Sequence, residues 1–367
     1  MTTPQTPGSF GESSISREPP IPRESLIPCE PAVPGESTIP REPLIPRDLL
    51  EFIREGEKFL IASHKEPDGD CVGSQLALSS ALQRMGKEVI ICSAGPFKRS
   101  EVKQYEHCYN PVPADTSGMR VILLDCTDIG RTGALEAGLK GLPLALIDHH
   151  KAEKDPDVPE TLPGPLYIDD KAQSTTLLIL KLINALGLEP TAEEAELLFL
   201  GLCTDTGFFR YVDRMGADAF EAAALLVRLG ADPKAAFAAI HGGKSLESRI
   251  LLGRILTRAE SFFGGKLLYS CEEYEETCRF GLEGRDSDNL YQLLQSVAGI
   301  EAIVIVRQET PEYCSVGLRS LDRVDVGNIA ASFGGGGHKN AAGFRISGTI
   351  AEIKQELLKA FEIIFGN

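Results

Sequence analysis

An α/β fold, with a parallel sheet in a larger domain and a smaller α/β domain behind it, is what this sequence predicts. Two patterns carry the prediction. Short apolar runs alternate with stretches of helical period, the order that builds parallel sheets. Acidic residues and histidines stand where those runs end, and ligands of open parallel sheets gather at the carboxyl ends of strands.

The elements follow in order. Residues 1–46 hold a hexapeptide repeat, Arg17 to Pro22, Arg23 to Pro28, Cys29 to Pro34, Gly35 to Pro40 and Arg41 to Pro46. A proline every sixth residue forbids a helix or a central strand, and one or two apolar residues per unit cannot drive collapse. A disordered, partly polyproline-II tail is expected, inert rather than a proline-motif ligand. Folding is expected to begin near Arg47 and Asp48. Lys58 to Ser63 reads as a buried strand, Gly73 to Met85 as a helix closed by Gly86, and Glu88 to Cys92 as the next strand. Arg120 to Asp125 and Leu142 to Ile147 are two further apolar runs. Helices are predicted over Gln173 to Ala185, Ala192 to Leu202 and Ala217 to Leu229, the last capped by Gly230. This larger domain takes in residues 47–243. An amphipathic connector helix, Ser245 to Phe262, spans 244–263, and the second domain, 264–367, starts at Gly264-Gly265. It carries strands near Lys266 to Cys271, Ala302 to Arg307 and Tyr313 to Leu318, and helices Val326 to Ser332 and Ile350 to Ile364.

At 367 residues the chain exceeds a single core, so two domains with appendages are expected. A hydrophobic fraction of 43% with 25% charged residues suits a globular protein with a sizeable core. No apolar run approaches the roughly 20 residues that cross a bilayer, and no signal peptide is recognisable, so a cytoplasmic protein is expected. Nine cysteines with no Cys-x-x-Cys pair resemble neither a disulfide framework nor a zinc ribbon. A net charge of -16 argues against long duplexes, which need a broad basic face, and leaves small anionic substrates open. Between Ile303 and Arg345, Arg307, Arg319, Arg323, Lys339 and Arg345 offset Glu309, Glu312, Asp322 and Asp325, which would suit a local anion pocket.

The residues able to do chemistry cluster at the predicted strand ends. Asp148-His149-His150 follows one apolar run and His64 follows another. Asp68-Gly69-Asp70 places two carboxylates around a glycine that permits a tight turn. Asp125 ends a third run, and Asp205 follows an apolar helix. Each alone reads equally as a turn or a helix cap. Collected at one edge, His64, Asp68, Asp70, Asp125, His149 and Asp205 would suit two divalent ions about 3.5–4 Å apart, the arrangement that hydrolyses phosphate esters. Mixed carboxylate and imidazole donors fit manganese better than magnesium. Cys71, Cys126 and Cys203 beside these motifs read as small core residues rather than ligands. Further on, Gly334 to Gly337 before His338-Lys339 reads as a loop whose main chain an anion approaches.

His64-Lys-Glu-Pro-Asp68-Gly-Asp70-Cys-Val-Gly-Ser74, Leu124-Asp125-Cys126, Asp148-His149-His150 and Thr204-Asp205-Thr206-Gly207 resemble the four ordered motifs of the DHH phosphoesterases. Gly334 to Phe344 resembles the signature of the associated DHHA1 domain, so the likeness runs from about Asp48 to the C-terminus. The layout is similar to that of the nano-RNase and pAp phosphatase subgroup. The resemblance implies two manganese ions, one on His64, Asp68 and Asp125, the other on Asp70, Asp125, His149 and Asp205, with Asp125 shared. It implies that His150 faces the scissile phosphate and that Asp148 orients the histidines. Arg319, Ser320, Gly336, Gly337 and His338 resemble positions that hold the far end of the substrate, with Arg285 a further candidate. The implied reaction is direct two-metal hydrolysis, on short oligoribonucleotides, 3'-phosphoadenosine 5'-phosphate, or dinucleotides from cyclic-dinucleotide turnover. A nucleotide-binding regulator without turnover is the non-enzymatic alternative, and homodimerisation is left open.

Overall fold

The computed structural model describes residues 45–150, 164–281, 284–321 and 323–366; the repeat segment up to residue 44 lies outside the described residues. After helix α1 (Arg47–Glu55) the first strand is β1 (Lys58–Ala62). Helix α2 (Gly69–Arg84) crosses over to β2 (Glu88–Cys92). A one-turn helix, α3 (Ser100–Lys103), precedes β3 (Met119–Leu124), and a second, α4 (Glu136–Leu139), precedes β4 (Leu144–Asp148). With β5 (Leu166–Ile168) these strands form a parallel sheet in the order β2-β1-β3-β4-β5. The chain leaves β1 toward one edge and β3 toward the other. A crevice therefore opens at the carboxyl ends of β1 and β3, the topological switch point where such sheets bind ligands.

Both sheet faces are covered, which is why the strands read as unbroken apolar runs rather than alternating ones. Phe59, Ile61, Ile122, Leu124 and Ile147 pack in one core with α2, α5 (Thr175–Ala185) and α6 (Ala192–Asp205). Leu60, Ala62, Val121, Leu123 and Leu146 fill the other face. Glycines let the helices close up: a Cβ at Gly73 of α2 would lie 2.4 Å from the Leu197 carbonyl oxygen of α6. Helices α7 (Ala217–Leu229) and α8 (Pro233–His241) complete this half, and α9 (Leu246–Thr257) leads out of it.

The second sheet is mixed, ordered β10-β11-β9-β8-β7-β6. Its strands are β6 (Glu260–Phe262), β7 (Leu267–Glu272), β8 (Ala302–Thr310), β9 (Tyr313–Ser320), β10 (Gly336–His338) and β11 (Ala341–Ser347). Helices α10 (Tyr274–Phe280) and α11 (Ser287–Gln295) fall between β7 and β8, α12 (Val326–Ser332) between β9 and β10, and α13 (Ile350–Phe365) ends the chain. Among the described residues no helix is long and apolar enough to cross a membrane.

Three expectations are corrected. Helix α2 begins at Gly69 rather than Gly73, because Asp68 caps it by accepting the amides of Asp70 and Cys71. The connector helix stops at Thr257: Glu260–Phe262 is instead an edge strand, and Gly264 and Gly265, with φ of 68° and 97°, make the turn that pairs it with β7. The glycine quartet is not a free loop. Gly336 and Gly337 pair with Gly343 and Ala342 of β11, and a Cβ on Gly335 would sit 2.3 Å from that of Phe344. The backbone approached so closely is the protein's own.

Candidate active site

The switch-point crevice collects side chains from five separate segments. Asp125, the residue after β3, adopts a left-handed conformation with φ of 54°, tolerable for Asp, and its amide donates to the Ile147 carbonyl of β4. That turn leaves its carboxylate, 1% exposed, at the centre. Asp70, in the first turn of α2, is fully buried and accepts the amides of Thr175 (2.6 Å) and Thr176 (2.8 Å) at the start of α5. A carboxylate at two helix N-termini is favoured by both dipoles. Asp205 closes α6 and reaches the same place because Gly201, one turn earlier, lets that helix run against Asp70.

The histidines are aimed from behind. His64 Nδ1 is 2.7 Å from the Lys65 carbonyl oxygen and His149 Nδ1 is 3.2 Å from that of Ala172. In each the outer nitrogen is used by the main chain, leaving Nε2 for the crevice. His64 Nε2 is 3.6 Å from Asp125 Oδ2; His149 Nε2 is 3.7 Å from Asp125 Oδ1, 3.9 Å from Asp70 Oδ2 and 2.9 Å from Asp205 Oδ2. His150 is held differently, its amide and Nδ1 both meeting Asp148 Oδ1, at 2.9 and 2.8 Å.

The electrostatics are those of a site short of positive charge. Burial, then Asp205 and Asp125, push the Asp70 carboxyl well above its ordinary range. Burial likewise raises Asp205, against the pull of His149. Burial works against the Asp125 carboxylate too, but His150, His64 and Cys71 outweigh it and hold its pKa far down. Burial opposes protonation of His149, yet Asp205 and Asp70 lift it to about 9. Asp125 and Asp148 lift His150 to about 10. His64 is raised by Asp125 against its burial.

These residues fit divalent cations. His149 Nε2 is buried and, despite its 2.9 Å approach to Asp205, forms no aligned hydrogen bond among the described residues. Donor atoms within 4.8 Å of one another form three groups: His64, Asp68, Cys71 and Asp125; Asp125, His149 and His150; and Asp70, His149 and Asp205. Buried carboxylates so close together require compensating charge, which protons supply poorly and divalent ions well.

All eight residues expected here from the motifs, His64, Asp68, Asp70, Asp125, Asp148, His149, His150 and Asp205, lie in this crevice. The residues expected to bind the far end of a substrate lie on the second sheet. Arg319 stacks on Tyr291, guanidinium 4.5 Å from the ring centre. A cleft of about 870 Å³ runs from Thr204 and Gly207, which flank Asp205, to Arg319 and Tyr291. Arg285 also lines this cleft, but its guanidinium is committed to Glu272 and Glu309. Ser320 is buried and its hydroxyl donates to the Val324 carbonyl, a structural contact. Gly336, Gly337 and His338 are exposed on the edge strand β10 and are not part of the cleft wall.

Sequence reasoning missed three contributors. Thr175 donates its hydroxyl to Asp125 Oδ1 at 3.1 Å besides its amide to Asp70; the Ser174-Thr175-Thr176 run ahead of an apolar helix was the available signal. Cys71, read as core, places its thiol 3.1 Å from Asp125 Oδ2. Tyr291, the platform under Arg319, had no sequence signal.

Known proteins resemble this chain throughout the described region. The family model for the DHH family, N-terminal domain, matches residues 58–202, and that for the DHHA1 domain matches residues 264–367. A bifunctional oligoribonuclease and PAP phosphatase of Thermus thermophilus is 32% identical over 82% of this chain and 90% of its own. A cyclic-di-AMP phosphodiesterase of Geobacillus thermodenitrificans is 26% identical over 86% of this chain, which spans only 49% of that longer protein. Among solved structures, an exopolyphosphatase-related protein from Bacteroides fragilis shares the fold, with a TM-score of 0.69 at 22% identity, covering 87% of this chain and 96% of the other. The chain therefore belongs to the DHH phosphoesterase family, its DHH domain carrying most of the crevice of histidines and aspartates at the sheet's switch point and a DHHA1 domain following it.

Proposed function

We propose that this protein hydrolyses short oligoribonucleotides to mononucleotides, and 3'-phosphoadenosine 5'-phosphate to AMP, with two manganese ions in the crevice. The observation that carries this reading is the cleft itself. It runs from Thr204 and Gly207, on either side of Asp205 in the sequence, to the Arg319 guanidinium stacked on the Tyr291 ring, and its volume lies in the ~300–1,000 Å³ range of small-molecule sites. That is room for a nucleotide or a few, not a duplex. The near-complete match to an oligoribonuclease and PAP phosphatase points the same way.

One ion would be held by His64, Asp68 and Asp125, the other by Asp70, Asp125, His149 and Asp205, matching two of the donor groups above in part and sharing Asp125 between them. When bound, such ions supply Lewis-acid activation of water and of the scissile phosphate. The protein's own part is positioning. Thr175 and the α5 amides fix Asp70 and Asp125; Asp148 fixes His150; Arg319, braced on Tyr291, would take a phosphate or base of the substrate remote from the reacting bond. Binding energy there holds the scissile phosphate in place. His150, cationic at neutral pH, would face the phosphoryl oxygens or protonate the leaving oxygen.

The direct test compares manganese-dependent release of mononucleotides from a 5'-labelled RNA trinucleotide with phosphate release from 3'-phosphoadenosine 5'-phosphate. Turnover of both is expected. Turnover of neither, with a linear dinucleotide consumed instead, would replace the substrate class and keep the chemistry.

Metal uptake is expected to be strongly pH-dependent. Without metal His149 is protonated below about 9, so an incoming ion must displace that proton. Affinity should therefore weaken as pH falls, about tenfold per unit for each proton displaced, with protons released on binding. Calorimetric titration of manganese in buffers of different ionisation enthalpy measures both. An affinity constant from pH 6 to pH 8, within error, would contradict the proposed ligand.

A further inference from the structure

We propose that Gly317 is a positioning residue for the remote end of the substrate: its missing side chain admits the Tyr291 hydroxyl to the face of β9, and that seat sets the level of the ring on which Arg319 stacks. The inference rests on the reading above, in which Arg319 meets the substrate, and adds to it the residue that decides where Arg319 stands.

A glycine inside a central strand needs a reason, since it packs nothing and loses more chain entropy than alanine. Gly317 lies within β9 and pairs with Ile305 of β8 on one side and Gly343 of β11 on the other. Its backbone is extended strand without a positive φ, a conformation that alanine adopts readily. Conformation therefore gives no reason for glycine here; space does. Side chains alternate between the faces of a strand, and Val316 and Leu318 belong to the core with α12 and α13. Gly317 and Arg319 thus share the opposite face with their partners Ile305 and Ile303, the face that α11 covers through Leu290, Tyr291 and Leu294.

A Cβ at Gly317 would lie 2.2 Å from the Tyr291 hydroxyl oxygen and 3.4 Å from Cζ, the ring carbon that carries it. That oxygen would have to retreat roughly 1 Å to reach the ~3.3 Å at which carbon and oxygen meet without a clash. It cannot do so alone. A phenol oxygen is rigid with its ring, and the ring is buried among Leu251, Ile255 and Leu290. Arg307 closes another side: its Nη1 is 3.7 Å from the same Cβ position, and its Nη2 donates to Ser287 at the start of α11. The whole ring must therefore lift, and with it the Arg319 guanidinium, 4.5 Å from the ring centre. Among the described residues the hydroxyl has no hydrogen-bond partner, so room rather than a bond seats it. A misplacement of about 1 Å remote from the chemistry can cost about a hundredfold in rate.

Full-length Gly317→Ala is expected to lose at least about tenfold in kcat/KM for an RNA trinucleotide with manganese, but less than about threefold for bis-p-nitrophenyl phosphate, a diester with no nucleotide at its far end. Adding Tyr291→Phe removes the clashing oxygen and leaves the 3.4 Å ring contact, so the double variant should recover to within about threefold of wild type. An unchanged trinucleotide value in Gly317→Ala overturns the proposal, as does an equal loss on both substrates or a double variant no better than the single one. Should Gly317→Ala not fold, two variants decide together. The double variant must fold, and Tyr291→Leu, which takes the ring from under Arg319 without touching the strand, must show the trinucleotide-selective loss; failure of either overturns the proposal. Binding separates this inference from the proposed function. Equilibrium dialysis of a radiolabelled trinucleotide, with calcium in place of manganese, needs no turnover. Weaker binding by Gly317→Ala that the double variant regains, in a protein that hydrolyses neither substrate, would sustain the positioning role and defeat the proposed function; manganese-dependent turnover that is the same in all three proteins would do the opposite.

Discussion

Asp125→Asn is expected to lower kcat for an RNA trinucleotide by at least about a thousandfold, roughly 4 kcal/mol of transition-state stabilisation, with the far-ultraviolet circular dichroism unchanged. No other side chain touches as much of the site. Its two oxygens face His64, His149, His150, Cys71 and Thr175, and it belongs to two of the three groups of donors. The amide keeps the shape and one acceptor oxygen but removes the charge that both ions would share. Metal content measured on the same sample should fall as well. The backbone gives a second reason to expect function here rather than stability. A non-glycine residue with positive φ at a strand end is strained, and such strain persists where the surroundings over-determine it. Asparagine tolerates that conformation as well as aspartate does, so the fold should survive. Activity within tenfold of wild type would remove Asp125 from the centre of the mechanism.

The site was more legible than the fold around it, for a physical reason. Acidic residues and histidines after apolar runs are costly unless they do something, so Asp125, Asp148 and His149 stood out against the strands that precede them. Strand ends were readable because central strands buried on both faces are continuous apolar runs, and β1, between β2 and β3, falls within one residue of where its run predicts. What failed was short, exposed or dependent on distant partners. β5 is three residues with two of them exposed and carries no pattern. Glu260–Phe262 continues the helical period of α9, and only pairing with β7 makes it a strand. The glycines before His338 were correctly marked as a close backbone approach, but a sequence cannot say whose backbone comes near; here it is Gly343 and Phe344 of β11. Arg285 and Ser320 show the same limit at the level of a side chain. Their types suit anion binding, yet Glu272, Glu309 and the Val324 carbonyl had already claimed them.

His150→Ala is expected to cost between about a hundredfold and ten-thousandfold in kcat with KM little changed, the range lost with a general acid or a well-placed cation. Asp148 holds His150 in place. That carboxylate is buried, its Oδ1 meets both the amide and Nδ1 of His150, and its Oδ2 has no hydrogen-bond partner among the described residues. Such a carboxylate fixes the ring's orientation and stabilises its charged form, leaving Nε2 as the nitrogen available to a substrate on a ring that is 46% exposed. In the metal-free protein Asp125 and Asp148 raise the pKa of His150 to about 10, so the imidazolium is present there throughout the neutral range. The sign follows directly. A raised pKa keeps the charged form at every pH below it and loses that form as pH rises through it; with Asp125 turned to bound cations, Asp148 sustains the upward shift, so the wild-type rate should fall as pH rises above the ordinary imidazole range. Asp148→Asn removes one of the two groups that sustain the charge. Its alkaline limb should therefore move down toward the ordinary imidazole value of 6.5, while metal content stays as in wild type. A rate profile for Asp148→Asn that falls at the wild-type pH would show that Asp148 does not sustain the charge of the titrating group, and the alkaline limb would not belong to His150 held by Asp148.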